Sequence, residues 1–350
     1  MSDYVISRVY PSDKKQMAQL DALLKQEGIQ LDGNLDYTCV MYDEDYNAVA
    51  TGSCFGNTLR CFAVDGRHQG EGLLNQLMTH LINVQYMRGN THIFLYTKIN
   101  SAKYFRDLGF YEVARVHDML VFMENRRNGF DDYLKKFQPF RSENKSAAIV
   151  MNANPFTLGH QYLIETAASK CAVLHLFIVS EDASLVPFEV RKRLVQEAIE
   201  GISGLKNVVI HDSGSYMISS ATFPSYFLKD ASTVIEGQAR LDLAVFVKIA
   251  KALNITSRFV GEEPKSKVTG IYNRIMASEL PSHGIECVII PRREADGVII
   301  SASTVREYLK AGEFDKLKNL VPKTTLDYFT SPEAQSVIAR IRAAENVVHY

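Results

Sequence analysis

Cysteine is scarce and shows no pairing pattern: Cys39, Cys54, Cys61, Cys171 and Cys287 make five, an odd number without a CxxC spacing. That argues against a disulfide framework and a thiolate zinc site, and it suits a reducing compartment, so a cytoplasmic location is expected. No apolar run approaches the roughly 20 residues that span a bilayer. The opening MSDYVISRVY has neither the basic nor the apolar part of a signal peptide, so no membrane association is expected. Charge of one sign is lacking too. A formal net charge of -1 gives no support to a nucleic-acid surface. The nine histidines form no HExxH or similar ligand pattern. No protein-built metal site is expected, although a Mg²⁺ held mainly by phosphates would leave little trace in a sequence. No segment repeats at a fixed period.

What is present is an ordinary globular composition, 46% hydrophobic and 23% charged, in a chain of 350 residues. That length exceeds one ordinary core, so two domains are expected. The segment from Asn125 to Ser146 is polar, charged and broken by Gly129 and Pro139, and a fresh apolar run, AAIVM, follows it. This sets the boundary near residue 140, giving domains 1–140 and 141–350. The first half mixes a helix from Lys14 to Glu27 with strands at Tyr37 to Tyr42, Val49 to Phe55, Leu59 to Val64 and His92 to Tyr96. Apolar periodicity from Leu73 to Ile82 makes a second helix, Ser101 to Leu108 a short one, and Val113 to Phe122 a strand or a pair.

The second half alternates more regularly. Strands are expected at Ala147 to Met151, Val173 to Val179, Val208 to Ile210, Ser257 to Val260 and Glu286 to Ile290. Helical patterns lie between them, at Leu158 to Ser169, Glu189 to Ile199, Ala239 to Ala252 and Val268 to Ser278. Such alternation, with Val- and Ile-rich strands, predicts an α/β fold with a mostly parallel sheet covered on both faces. Ligands of such sheets gather beyond the carboxyl ends of the strands.

Asn152 to His160 stands at one of those ends. Thr157 precedes the helical pattern and suits an N-cap, which makes Gly159 the second helical residue and His160 the third. Open backbone N–H groups beside an imidazole outline an anion site. Pro155 stiffens the turn and holds Asn154 extended. The competing reading is an ordinary cap, a packing glycine and a surface histidine, because a helix-end field contributes only about 0.3–1 kcal/mol to a typical charge pairing. A second stretch, ISASTVREYLKAG, has Ser301 or Ser303 as a cap and Arg306 in an exposed first turn, where its donor fork matches a polyphosphate. The Arg191-Lys192-Arg193 cluster either faces phosphates or is a solvated helix surface. Lys265, in GEEPKSKVTG, lies at the active edge of the sheet, and Asp212 also ends a strand there.

The two stretches together resemble the signatures of the HxGH nucleotidyltransferase superfamily. Thr157-Leu158-Gly159-His160 is similar to its TxGH form, and Ile300-Ser301-Ala302-Ser303-Thr304-Val305-Arg306 to its second signature. The resemblance implies a Rossmann-like domain that binds ATP, with Mg²⁺, across both motifs. Thr157 and His160 would act near the α-phosphorus, with Arg306 and Ser303 on the outer phosphates. Asn152, Phe156, Gly159, Arg191, Lys265 and Ser301 would join the nucleotide contacts.

In the first half, Arg67-His68-Gln69-Gly70-Glu71-Gly72 forms a strand-to-helix turn able to cradle a pyrophosphate, although no GxGxxG is present. With Ala102 to Phe110 it resembles the GCN5-related N-acetyltransferase fold, which implies coenzyme A contacts at Arg67, Gly70 and Gly72. That family's frequent general-acid tyrosine falls at Phe105, which cannot donate a proton. Binding without acetyl transfer of its own is the expectation.

The domain order and the phrases NANPFTLGHQYLIE, VPFEVRKRLV, FVGEEP and ISASTVREYLK resemble the citrate lyase ligases across nearly the whole chain. What this implies is adenylation of acetate by ATP, followed by acetylation of the prosthetic-group thiol on the acyl carrier protein of the citrate lyase complex. The alternative is a phosphopantetheine or nucleotide adenylyltransferase with an accessory CoA-binding domain.

Overall fold

The computed structural model describes residues 4–180, 184–217, 223, 231–262, 267–295 and 297–345. The chain divides into two compact units, Met1–Tyr133 with Thr222–Ala244, and Leu134–Ala221 with Val245–Tyr350. Among the described residues no helix is long and apolar enough to cross a membrane.

The first unit is built on β1 (Val5–Arg8), α1 (Lys14–Gln26), β2 (Tyr37–Tyr42), β3 (Ala48–Phe55) and β4 (Thr58–Val64). It continues with α2 (Leu73–Met87), β5 (Phe94–Thr97), α3 (Ala102–Asp107), β6 (Tyr111–Val116) and β7 (Leu120–Glu124). Its seven strands run in the order β1-β2-β3-β4-β5-β7-β6, with only β4 and β5 parallel. Strand alternation sorts the core. Cys39 and Met41 of β2 pack with Leu73, Leu77 and Leu81 of α2. Val40 and Tyr42 face the other way, with Leu20, Leu23 and Leu24 of α1. Gly52 lets α2 come close to β3, since a Cβ there would stand 2.7 Å from Leu81 Cδ1. Sequence reading missed β1, a four-residue edge strand. It also missed α4 (Gly129–Lys135), which lies inside the segment read as polar linker.

The second unit holds β8 (Ser146–Met151), α5 (Leu158–Ala168), β9 (Val173–Ile178), α6 (Phe188–Glu200) and β10 (Val208–Asp212). It goes on through α7 (Ala231–Leu253), β11 (Ile255–Gly261), α8 (Lys267–Glu279), β12 (Glu286–Ile290) and a small hairpin of β13 (Glu294–Ala295) and β14 (Val298–Ile299). The chain ends through α9 (Ala302–Ala311), α10 (Lys323–Thr330) and α11 (Gln335–Ala343). Helix α7 begins eight residues before the expected Ala239, and only its latter part belongs to this unit. The five main strands are all parallel, in the order β10-β9-β8-β11-β12. Strand order therefore reverses between β8 and β11, which opens a crevice beyond their carboxyl ends. Leu309, Leu317, Tyr328, Phe329 and Ile341 from the C-terminal helices join the same apolar core as Ile149 and Leu176.

Two buried histidines bridge β9 and β10. His175 Nδ1 and His211 Nε2 lie 3.0 Å apart, and Phe137, Phe140 and Phe177 surround the His211 ring. Both imidazoles are pushed down from 6.5 to about 4 by burial, with the His175 charge adding to the effect on His211 and Asp212 opposing it. An unfolded chain binds protons between those two values that the folded chain refuses. The associated stability is fully present above about pH 6.5 and is lost as pH falls toward 4. Melting at pH 5 should therefore lie several degrees below melting at pH 7, at about 2–4 °C per kcal/mol for a unit of this size. A His175→Asn/His211→Asn double variant should reduce that difference, and an unchanged slope would clear the pair of responsibility.

Candidate active site

The site begins where β8 runs into α5. Thr157 is extended, at φ -128° and ψ 165°, and its Oγ1 accepts the His160 N–H at 3.3 Å. In return His160 Nδ1 accepts the Thr157 N–H at 3.1 Å and lies 2.9 Å from Thr157 Oγ1. This is a capping box in which an imidazole takes the place usually held by a Glu or Gln side chain. The acceptor role leaves Nδ1 unprotonated, so the neutral ring carries its proton on Nε2. Burial, then the positive charges of Arg292 and Arg306, push this histidine down to about 4. At neutral pH it is a donor through Nε2–H, and its protonated form is strongly disfavoured.

Fewer helix-end N–H groups are open than the sequence suggested. Leu158 N–H donates to Leu320 O at 2.9 Å, and His160 N–H is taken by Thr157. Gly159 N–H has no partner among the described residues. The glycine itself has a packing reason, because a Cβ would come within 3.0 Å of Ile300 O and 3.5 Å of Ile300 Cγ2. The two motifs therefore touch at Gly159 and Ile300.

The second motif opens α9. Ser301, not Ser303, is the cap: its Oγ accepts Thr304 N–H at 3.1 Å and lies 2.9 Å from Ser303 Oγ. The expectation of an exposed arginine fails here. Arg306 is 2% exposed, on the face of α9 that also buries Val305 and Leu309, and its Nη1 donates to the main-chain oxygen of Asn154. Burial lowers its pKa to about 10, so it remains charged at neutral pH. The turn it grips has Ala153 at φ 52° and a cis peptide between Asn154 and Pro155.

Other expected contacts divide. Asn152 is half-buried and exchanges hydrogen bonds with Ser184, at 2.9 and 3.1 Å. Phe156 is fully buried in the core and stacks 5.8 Å from the His160 ring, so its side chain supports the imidazole from the protein side and does not line the opening. Arg191 is neither solvated nor directed outward. It is 0% exposed, and it donates to the main-chain oxygens of Val186, Asn152 and Val179. Its neighbour Lys192 pairs with Asp212 at 2.8 Å, and Arg193 pairs with Glu333 at 2.8 Å. Lys265 lies outside the described residues.

Sequence reading also missed Arg292 and Asn154. Arg292 Nε donates to Glu262 O at 2.7 Å, which holds its charge at the β11–β12 edge, near His160. Asn154 is 2% exposed, and its Oδ1 accepts Val186 N–H at 3.0 Å. Its Nδ2 is buried without a partner among the described residues. The position of Arg292 just after an apolar strand was a usable signal; nothing local marked Asn154. The assembled groups are main-chain N–H, imidazole N–H and guanidinium, all suited to oxyanions. Among the described residues no cluster of three His, Cys, Asp or Glu side chains is placed to hold a metal.

The Arg67-to-Gly72 turn belongs to the first unit. Arg67 is well exposed and doubly bonded to Asp65, at 3.1 and 2.6 Å. Gly70 and Gly72 have φ of 92° and 78°, and a Cβ on either would meet open space. Gly72 is the N-cap of α2, without a side-chain cap bond. Phe105 is buried 5.4 Å from Phe62, edge to face, and adjacent Tyr104 is exposed.

Comparison with known proteins agrees with these motifs. The model of the citrate lyase ligase C-terminal domain matches residues 146–329. Among curated proteins, the citrate (pro-3S)-lyase ligase of Haemophilus influenzae is 39% identical over 91% of this chain and 96% of that protein. The ligase of the same name from Klebsiella pneumoniae is 39% identical over 90% and 93%. The one from Escherichia coli is 38% identical over 93% of each. A solved putative acyl-CoA N-acyltransferase from Klebsiella pneumoniae is similar over 35% of this chain and 95% of that chain, at 21% identity, with a TM-score of 0.30 that is too low to carry a conclusion. Identity of this level over nine-tenths of the sequence, together with the matched C-terminal domain, shows that the chain belongs to the citrate (pro-3S)-lyase ligase family.

Proposed function

We propose that the chain is an ATP-dependent, AMP-forming ligase that acetylates the thiol form of citrate lyase. The observation that carries this reading is the meeting of the two motifs at Gly159 and Ile300, which sets His160 at the start of one helix and Arg306, bound to the Asn154 carbonyl, at the start of the other. Acetate lacks a good leaving group, and adenylation supplies one. In the first step an acetate oxygen attacks the α-phosphorus, the bond to the bridging oxygen breaks, and pyrophosphate leaves. In the second, the prosthetic-group thiol on the carrier protein of citrate lyase attacks the acetyl carbon as AMP departs and the thiol proton is released.

Gly159 and His160 donate to the α-phosphoryl oxygens, where negative charge is redistributed in the transition state. Ser303 contacts the outer phosphates, Arg306, buried on the Asn154 carbonyl, supplies fixed positive charge beneath them, and Thr157 fixes the His160 tautomer. The donor set fits a polyphosphate, and Mg²⁺ accompanying the phosphates would add charge neutralisation. Little covalent chemistry is asked of the protein; positioning and fixed positive charge do most of the work.

The first domain, 1–140, would hold the CoA-like prosthetic group on the Arg67-to-Gly72 turn, and domain 141–350 would adenylate acetate. The two left-handed glycines with open space and the uncapped start of α2 support that placement. Phe105 supports binding without separate acetyltransferase chemistry. Free cysteines and dependence on ATP fit a cytoplasmic enzyme.

Incubation with ATP, Mg²⁺ and acetate, with and without deacetylated citrate lyase, tests the reading. AMP and acetylated carrier should both require acetate, and AMP formation independent of either acceptor would sink it. Arg306→Lys should cut acetate-dependent turnover by at least about tenfold, or roughly 1.4 kcal/mol, because an ammonium keeps the charge but loses the fork. Normal kinetics in that variant would remove Arg306 from the site. His160→Ala should lower single-turnover pyrophosphate release more than ATP affinity. With the imidazole neutral down to about pH 4, wild-type turnover should also show no His160 titration between pH 6 and 8. Equal losses of affinity and rate would make His160 a binding residue only. Arg67→Gln should depress transfer to carrier while leaving acetyl-AMP formation intact, and an unchanged ratio of the two products would move the prosthetic group off this turn.

A further inference from the structure

One side chain ties together the backbone segments that leave β8 and β9. Arg191, near the start of α6, is 0% exposed. Its Nε donates to Val186 O at 3.0 Å, and its Nη1 donates to Asn152 O at 2.7 Å and Val179 O at 2.8 Å. Val179 follows β9, Asn152 follows β8, and Val186 lies in the approach to α6. Two further bonds cross the same seam, from Asn152 Nδ2 to Ser184 Oγ at 2.9 Å and from Val186 N–H to Asn154 Oδ1 at 3.0 Å.

A buried guanidinium is costly to desolvate, and packing alone would be served better by an apolar side chain. The planar fork does something an apolar group cannot, which is to fix the direction of several carbonyls at once. The backbone it fixes is the Asn152-to-Asn154 turn, whose last carbonyl also receives Arg306. We infer that Arg191 is a positioning residue of the adenylation site: it touches no reactant and sets the turn from which Arg306 takes its orientation. This rests on the adenylation reading of that site.

The test uses full-length Arg191→Lys and Arg191→Ala. In Arg191→Lys, turnover should fall by about 10²-fold, the cost of a small misplacement at a reacting centre, with KM for ATP and melting temperature little changed. Millimolar guanidinium chloride should restore part of the turnover of Arg191→Ala, and sodium chloride at equal ionic strength should not. Hydrogen exchange over residues 152–154 should quicken in Arg191→Lys while α6 stays protected. That readout holds whether or not the wild-type chain makes AMP, so failure of the adenylation reading shows separately as wild-type inactivity. Wild-type turnover in Arg191→Lys, unchanged exchange in the turn, or loss of activity that only follows unfolding would each overturn the inference. Failure of Arg191→Lys to fold would assign Arg191 to stability and overturn it equally.

Discussion

The approach of Ile300 to Gly159 is the constraint on which the arrangement of the two motifs in the second unit depends. A Cβ at 159 would stand 3.0 Å from the Ile300 carbonyl, so any side chain there would push the start of α9 back from the start of α5 by a few tenths of an ångström. From that contact the rest follows in order. Arg306 is brought within reach of the Asn154 carbonyl, the guanidinium is buried, and its charge bears on His160. A packing fact thus becomes an electrostatic one. The imidazole stays neutral beside two arginines, and the Thr157 N–H on Nδ1 decides which nitrogen carries the proton. A donor of this kind needs no reorganisation when charge develops nearby, which is how preorganised dipoles lower barriers.

The first unit meets a different demand. Its turn between β4 and α2 offers two left-handed glycines whose Cβ positions would meet open space, while Tyr4 bonds His68 and Glu71 of the same turn. Phe105 is buried nearby against Phe62 and has no proton to donate. The two sheets each carry their own core, and the proposed division places recognition on the first and bond-making on the second.

Much of this was legible in sequence because it is local. An apolar β-run, a threonine cap, and a glycine and histidine at fixed helical positions specify β8, its turn and α5, and the alternation of later elements specifies a parallel sheet. What sequence reading missed was non-local. Arg306 looks exposed until its acceptor, 152 residues earlier in the chain, is known. Arg191-Lys192-Arg193 reads as one basic cluster, yet helical geometry turns each side chain by about 100°. One is therefore buried against carbonyls, the next reaches Asp212 and the third reaches Glu333. The short edge strand β1 and the brief α4 carry too few residues for a periodic signal.

The bond from Leu158 N–H to Leu320 O has a bearing on how the molecule is made. The first turn of α5 emerges from the ribosome long before its capping carbonyl, and the core beneath it still lacks Leu317, Phe329 and Ile341. Contacts at such sequence separation form only after a long loop closes. The nascent sheet can pair as its strands appear, but the mouth of the crevice acquires its final shape last, when the C-terminal helices dock. A ribosome-bound chain halted just after α9 would carry both signature motifs and still lack Leu320 and the core residues that follow it.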